Sequence, residues 1–308
     1  MQILTHWTDE QTGTRGASVA MGNFDGVHLG HRSVIDLARR PDAALGILTF
    51  EPHPREYFAP DAPPFRLMNA EARRNRLARL GVERLFELPF DATMARFSAE
   101  AFVDQVLVQG LGISHVVVGA DFCFGKGRAG NAQLLADMGR AHGFDVTIAP
   151  LMQHGGGAVS STAIRTALSD GRPRDAAGML GHWHRIEGAV LHGEKRGRQL
   201  GYPTANMSIA GLHPPRFGVY AVKVTVLSGP HAGSYNGAAS MGVRPMFGEN
   251  LPNLESYLFD FSGDLYGTHI SVALVDYLRG EAKFGSLTAL TDQMAADCAQ
   301  AREVLADA

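Results

Sequence analysis

Residues 22–31 read GNFDGVHLGH, and their two histidines, His28 and His31, lie three apart directly after a Gly-Asn-Phe-Asp-Gly turn. Imidazoles at i and i+3 share a face if a helix begins there. A helix N-terminus carries unpaired N–H groups and partial positive charge, which suit a phosphate. Gly22, Gly26 and Gly30 let the backbone approach a ligand closely. The imidazoles can then donate to a phosphate that gains charge in a transition state. A second helix start is SSTAIRTAL (160–168). Its Ser160, Ser161 and Thr162 are N-cap residue types, and Arg165 lies on the same side of the first turn. Hydroxyls plus a guanidinium suit the outer phosphates of a nucleotide. A third stretch, HGEKRGRQLGYPTANM (192–207), sets Lys195, Arg196 and Arg198, with His192 beside them, among Gly193, Gly197 and Gly201. A cationic, glycine-rich loop can fold over phosphates. After Pro203, Thr204 and Asn206 point the same way in an extended segment, and a hydroxyl and an amide oxygen are hard ligands suited to Mg²⁺. Each feature alone also occurs as an ordinary capped helix or a solvated loop; together they narrow the reading.

The elements that must position these residues follow from periodicity. Residues 16–24, 44–50, 82–90, 115–122 and 144–150 read as apolar strands, alternating with helical patterns at 28–40, 69–81, 98–112 and 131–143. That alternation predicts a parallel sheet covered on both faces, with ligands at the carboxyl ends of its strands, where GNFDGVHLGH sits. Composition changes after about residue 182. Short strands at 217–227, 235–242, 254–261 and 269–279, separated by SGPHAG and SGDLYG turns, predict an antiparallel barrel. A final helix over 286–308, with apolar spacing at Leu287, Leu290, Met294, Cys298 and Ala301, is expected to pack over it. The domains expected are therefore 1–182 and 183–308.

Composition excludes several classes. The 308 residues carry a formal net charge of -3 with 45% hydrophobic and 19% charged residues, so a core can form and a dedicated nucleic-acid binder is disfavoured. Cys123 and Cys298 are far apart and in no metal-ligand spacing, which fits a reducing, cytoplasmic setting without structural zinc. The N-terminus has no signal-peptide pattern, and no apolar run approaches the ~18 residues of a membrane span. The partners expected are small molecules, with no nucleic acid and no membrane; a homo-oligomer leaves no signature either way.

GNFDGVHLGH, TFEPHPREYF (49–58), VVVGADFCFGKGRAGN (116–131) and SSTAIR together resemble the FMN adenylyltransferase module of the bifunctional riboflavin kinase/FAD synthetase family. The resemblance implies a Rossmann-like nucleotidyltransferase domain. Within it His28 and His31 would stabilise the α-phosphate of ATP, with Gly22, Asn23, Phe24, Asp25, Gly26 and Gly30 around the nucleotide. It also implies that Ser160, Ser161, Thr162 and Arg165 hold the pyrophosphate, and that His53, Pro54, Asp121, Phe122 and Lys126 lie on the flavin side. The run at 192–207, with GVYAV (218–222), GVRPMFG (242–248) and LESYLFDFSGDLYG (254–267), resembles the riboflavin kinase signature. It implies that Thr204 and Asn206 hold Mg²⁺–ATP, that Gly193, Lys195, Arg196, Gly197, Arg198, Gly201 and Pro203 surround the phosphates, and that Glu255 is the base for the ribityl hydroxyl. Substrates and products would be ATP, riboflavin, FMN and FAD. Three positions depart from the family pattern: Arg172 follows Gly171 where an acidic residue is usual, Met246 replaces Thr, and Ser240 replaces Asn.

Two other readings fail on context. Gly125, Gly127 and Gly130 form GxGxxG, but ADFCF intervenes between strand and glycines, so the strand–turn–helix of a hydride-transfer fold is missing. Gly125-Lys126 hints at a P-loop, but Gly127 stands where Ser or Thr is required. A flavin-binding or regulatory protein with degenerate sites is the competing class. It would not require His28, His31, Arg165, Thr204, Asn206 and Glu255 together. For the adenylyl transfer the nucleophile would be the FMN phosphate, already anionic near neutral pH, so donors rather than a strong base are expected at that site.

Overall fold

The computed structural model describes residues 1–8, 15–193, 197, 200–246 and 249–308. The chain divides into two compact units, Met1–Ala62 with Arg73–Val159, and Pro63–Ala72 with Ser160–Ala308. Strand–helix alternation builds the first. In chain order it contains β1 (Gln2–Leu4), β2 (Ser18–Met21), α1 (Leu29–Leu37), β3 (Leu45–Glu51), α2 (Pro54–Phe58), α3 (Ala70–Arg79, its first turn in the second unit) and β4 (Arg84–Pro89). Then come α4 (Ala99–Ala101), β5 (His115–Gly119), the small pair β6 (Cys123–Phe124) and β7 (Gly130–Asn131), α5 (Ala132–His142), β8 (Asp145–Ala149), β9 (Gln153–His154) and β10 (Gly157–Ala158).

Six strands form one parallel sheet in the order β1-β4-β3-β2-β5-β8. From β2 the chain runs one way through β3 and β4 and the other way through β5 and β8. The end of β2 is thus the switch point of the sheet, where open α/β folds bind ligands. Buried Val19, Ile47, Leu48, Leu85, Phe86, Val116 and Val118 supply the apolar strand runs, whose removal from water is the main stabilising term. The helix predicted over 98–112 differs in kind. It starts as α4, capped by the Ser98 hydroxyl, and continues as wider π-helical turns over Phe102–Gly110. A Cβ at Gly110 would stand 2.6 Å from the Trp7 carbonyl oxygen, so glycine permits that close passage. The Arg15 guanidinium caps the carbonyls of Val108, Gln109 and Gly110.

The second unit holds α6 (Ser161–Ser169), α7 (Pro173–Leu180), β11 (His184–Ala189), β12 (Ala205–Ser208), β13 (Gly218–Val226), β14 (Gly233–Met246), β15 (Glu249–Leu258), β16 (His269–Arg279) and α8 (Leu287–Ala306). Its strands pair antiparallel in the order β11-β16-β13-β14-β15-β12, and an antiparallel bridge between Leu191 and Asn206 nearly closes the barrel. Ile186, Met207, Val222, Val224, Met241, Leu254, Val272 and Leu274 fill the interior. Helices α6 and α7, which precede the boundary expected at 182/183, group with this unit. Their Ile164, Ala167, Leu168, Ala176 and Leu180 pack with Leu67.

Helix α8 forms where expected, capped by Ser286; Cys298 and Ala301 pack as the spacing predicts, Leu290 and Met294 line the barrel cavity, and only Leu287 at its start stays out. Leu287 is 62% exposed, whereas Asp297, Ala301 and Leu305 are buried. A buried aspartate is tolerated because Arg279 takes both of its oxygens, at 2.8 and 2.6 Å.

Candidate functional sites

In the first unit the turn after β2 is over-determined. The Gly22 N–H donates to the Leu48 carbonyl, and the Val27 N–H to that of Phe24. Phe24 and Val27 have φ of 52° and 44°, a left-handed backbone that non-glycine residues seldom adopt. Their side chains are fully buried, which holds the turn in place. Asp25 and Gly26 are buried and Asn23 is exposed.

The two histidines do meet, though not as successive residues on one helix face. His28 is the N-cap of α1; its Nδ1 accepts from the His31 N–H at 3.2 Å. The rings stack at 3.6 Å and 12°, and Gly30 leaves them room, since a Cβ there would lie 3.1 Å from His28 Cε1. Burial, and then the neighbouring His28, hold the His31 pKa well below the usual imidazole value. His31 is therefore neutral near pH 7. Its Nδ1 is buried without a partner among the described residues, a polar atom that an incoming anion can satisfy.

The flavin-side candidates are split. His53 is committed to capping α2: its Nδ1 accepts from the Arg55 N–H, and Glu56 accepts from its own N–H. Pro54 opens that helix. Phe122 stacks on Phe124 at 5.8 Å, and Asp121 and Lys126 are exposed. Sequence reasoning missed the aromatic shelf beside them. Tyr57 and Phe58 are 38% and 67% exposed, and their rings stand 5.5 and 5.6 Å from that of Phe90. The clue was available, because REYF places two aromatics in an otherwise polar, proline-rich loop.

Ser160 to Arg165 belong to the second unit, while His28 and His31 belong to the first. Ser160 caps α6, accepting from the Ala163 N–H at 3.1 Å, and Ser161 begins the helix. Thr162 is exposed. Arg165 Nε donates to the Phe65 carbonyl at 2.6 Å, with the guanidinium 5.4 Å above the Phe65 ring. Arg172 forms exposed ion pairs with Asp170 and Asp175.

The barrel brings the other candidates into one cavity of about 600 Å³. Strand register builds its polar row. Asn206 of β12 lies opposite Glu255 of β15, and Glu255 lies opposite Ser240 of β14. Cross-strand partners share a face, so the amide, the carboxylate and the hydroxyl line one wall. Thr204, two residues before Asn206, has its hydroxyl 3.5 Å from the Asn206 amide nitrogen. Asn253, also two residues away and missed in the sequence, donates from Nδ2 to Glu255 Oε1 at 3.4 Å. Gly193, Gly197 and Pro203 line the same cavity, and Gly201 sits at φ 84°. A Cβ at Gly193 would stand 2.7 Å from Asn206 Nδ2, so a larger residue there would displace the Asn206 amide. Lys195, Arg196 and Arg198 lie outside the described residues. Tyr202, Phe284, Leu290 and Met294 give part of the same cavity an apolar wall.

Among the described residues there is no cluster of three or more His, Cys, Asp or Glu that could cage a metal. The Thr204 hydroxyl, the Asn206 amide and the facing carboxylate are oxygen donors. Such a set fits a cation that keeps waters and binds mainly through substrate phosphates, as Mg²⁺ does.

Two family descriptions match the chain: FAD synthetase over residues 10–163 and riboflavin kinase over residues 180–305. A Pseudomonas fluorescens protein named bifunctional riboflavin kinase/FMN adenylyltransferase is 42% identical over 312 residues, covering 99% of this chain and 98% of its own. The Escherichia coli K12 protein of the same name is 39% identical over 297 residues, covering 95% and 94%. A Streptococcus pneumoniae crystal structure, described as a macrolide-efflux protein, superposes with a TM-score of 0.81 at 31% identity, covering 96% of both chains. Among the described residues no helix is long and apolar enough to cross a membrane.

Proposed function

The chain belongs to the bifunctional riboflavin kinase/FMN adenylyltransferase family, and we propose a division of its two reactions between the sites above. It phosphorylates riboflavin to FMN with ATP, and it transfers AMP from ATP to FMN, giving FAD and pyrophosphate. We assign adenylyl transfer to residues 1–182 and phosphorylation to residues 183–308.

In the barrel, Glu255 accepts the proton of the ribityl 5′-hydroxyl as that oxygen attacks the γ-phosphate. The observation that carries this reading is the row Asn206–Glu255–Ser240, which sets one carboxylate on the cavity wall between an amide and a hydroxyl. Thr204 and Asn206 would hold Mg²⁺, whose charge offsets that of the phosphates. Gly193 and Gly197, with the basic residues Lys195, Arg196 and Arg198 of the same run, are assigned to the triphosphate. The apolar wall takes the flavin ring. Ser240 is smaller than the Asn usual in the family and leaves more room beside Glu255.

In the other site, His28 and His31 donate to the α-phosphate while the FMN phosphate attacks it. Ser160, Ser161, Thr162 and Arg165 hold the departing pyrophosphate. The neutral state of His31 suits a donor role: it can give a hydrogen bond, and a bound anion favours its protonation. His53, Pro54, Asp121, Phe122 and Lys126, joined by the Tyr57–Phe58–Phe90 shelf, receive the flavin. The two cysteines are free, in keeping with a reducing cytoplasm.

The test is a time course on the full chain. Riboflavin with ATP and Mg²⁺ should give FMN and then FAD on chromatography, and EDTA should stop the first step. Thr204→Val should raise the Mg²⁺ needed for half-maximal phosphorylation about tenfold, as expected when one of few protein oxygens is lost. Phosphorylation that persists in EDTA, or an unchanged Mg²⁺ dependence, would remove the metal assignment.

A further inference from the structure

The turn that carries the phosphate cradle is braced from beneath by residues that never face the ligand. The Thr49 hydroxyl, on β3, donates to the Asn23 carbonyl at 3.2 Å, and an Arg73 guanidinium nitrogen, on α3, reaches the same oxygen at 3.5 Å. Both side chains are buried, Thr49 at 0% and Arg73 at 3% exposure, so neither can touch a nucleotide.

Arg73 is itself fixed. Its other terminal nitrogen bonds Glu51 Oε2 at 2.9 Å and Glu87 Oε1 at 2.8 Å. The second oxygen of Glu87 is taken by Arg74. Burial pushes the Glu87 pKa up, but the hydrogen bonds from Arg74 and Arg73 outweigh it and hold the carboxylate ionised.

The consequence lies on the other side of the peptide plane. In a trans peptide the C=O of residue i and the N–H of residue i+1 point in opposite directions. Two donors that draw the Asn23 carbonyl toward β3 and α3 therefore turn the Phe24 N–H away from them, toward the open side of the turn. That N–H has no partner among the described residues. Phe24 also holds the left-handed φ of 52°, a conformation that persists only where its surroundings enforce it. Its ring is buried against His31, at 5.1 Å between centroids.

We propose that Thr49 and Arg73 are positioning residues for adenylyl transfer: they lock the Asn23–Phe24 peptide so that the Phe24 N–H is presented to the nucleotide phosphates alongside His28 and His31. This rests on the reading of GNFDGVHLGH as the phosphate cradle. It assigns the Glu51–Arg73–Glu87–Arg74 cluster a purpose beyond stability, because the cluster fixes where the Arg73 donor points.

The bifunctional chain supplies its own control, since riboflavin phosphorylation reports folding independently. A fully lost preorganised donor costs about 10²–10³ in rate. Thr49→Val leaves Arg73 in place, so kcat/KM for ATP in FAD formation should fall about tenfold. The KM for FMN should stay within about twofold, and phosphorylation should be unchanged. Thr49→Ser keeps the hydroxyl and should stay near wild type. Arg73→Lys cannot span the carbonyl and both carboxylates and should lose at least as much as Thr49→Val. Wild-type ATP kinetics in Thr49→Val overturn the proposal, as does a Thr49→Ser loss equal to that of Thr49→Val, which would mark the missing contact as packing. His28→Asn in parallel separates the two levels. If it abolishes FAD formation while Thr49→Val has no effect, only the positioning role is wrong. If it leaves FAD formation intact, the cradle reading fails and the proposal falls with it.

Discussion

Replacing His184 with glutamine should flatten the acid side of the stability curve. His184 opens β11 and is buried, with Nε2 3.0 Å from the Leu67 carbonyl and Nδ1 without a partner among the described residues. Burial, opposed by the Leu67 hydrogen bond and assisted by His182 and His213, lowers its pKa from 6.5 to about 4. The depressed folded value fixes the sign. Between pH 6.5 and pH 4 the unfolded chain binds a proton that the folded chain refuses. Stability from this group is therefore complete above pH 6.5, falls as pH drops through the window, and reaches its limit near pH 4. The gap corresponds to about 3 kcal/mol, a large share of a typical folding free energy. Glutamine can still donate to the Leu67 carbonyl but does not titrate. The assay is urea unfolding at pH 7.5 and 4.5, followed by Trp183 fluorescence in a Trp7→Phe background, since the chain has only these two tryptophans. His31 and His115, whose pKa values are also lowered, contribute equally to both proteins and cancel in the comparison. Wild type should lose about 2–3 kcal/mol more than His184→Gln between the two pH values. An identical loss in both would refute the reasoning. The consequence reaches function, because Leu67 lies two residues from Phe65, whose carbonyl receives Arg165 Nε.

Two further outcomes follow from the barrel. Asp297→Asn leaves the mostly buried Arg279 without its charged partner and should cost about 3 kcal/mol. Because α8 carries the apolar wall of Leu290 and Met294, the riboflavin KM should rise while FMN-to-FAD conversion is spared, measurable by thermal unfolding and by separate steady-state assays. Gly193→Ala would place a methyl 2.7 Å from the Asn206 amide; riboflavin phosphorylation should drop at least about tenfold with unfolding temperature nearly unchanged, read from rates and melting curves.

What the sequence displayed well was local. The GNFDGVHLGH turn, the cap at Ser160 and the spacing of Thr204 and Asn206 are written in residues a few positions apart, so short-range rules reach them. Strand alternation likewise announced the parallel sheet and the barrel. What stayed hidden depends on partners distant in the chain. Arg73, Glu51 and Glu87 come from α3, β3 and β4, and nothing in their spacing reveals that they meet. Asp297 interrupts the expected apolar stripe of α8 for a reason that lies 18 residues away, at Arg279. The periodicity of 28–40 predicts His28 inside the helix, but its Nδ1 serves as a cap, which places it one position outside α1. The helical pattern at 69–81 gives no sign that its start belongs elsewhere, yet Asn69 Nδ2 donates to the Glu187 carbonyl and the Leu67 carbonyl lies against His184, which ties the segment 63–72 to the barrel unit.

The most direct measurement is a crossed product assay, in which His28→Asn and Glu255→Gln are each given riboflavin, or FMN, with ATP and Mg²⁺, and flavins are resolved by chromatography. His28→Asn should accumulate FMN and make no FAD. Glu255→Gln should leave riboflavin untouched yet still convert added FMN to FAD. If either substitution abolished both reactions in a folded protein, or neither, the assignment of one reaction to each site would be contradicted.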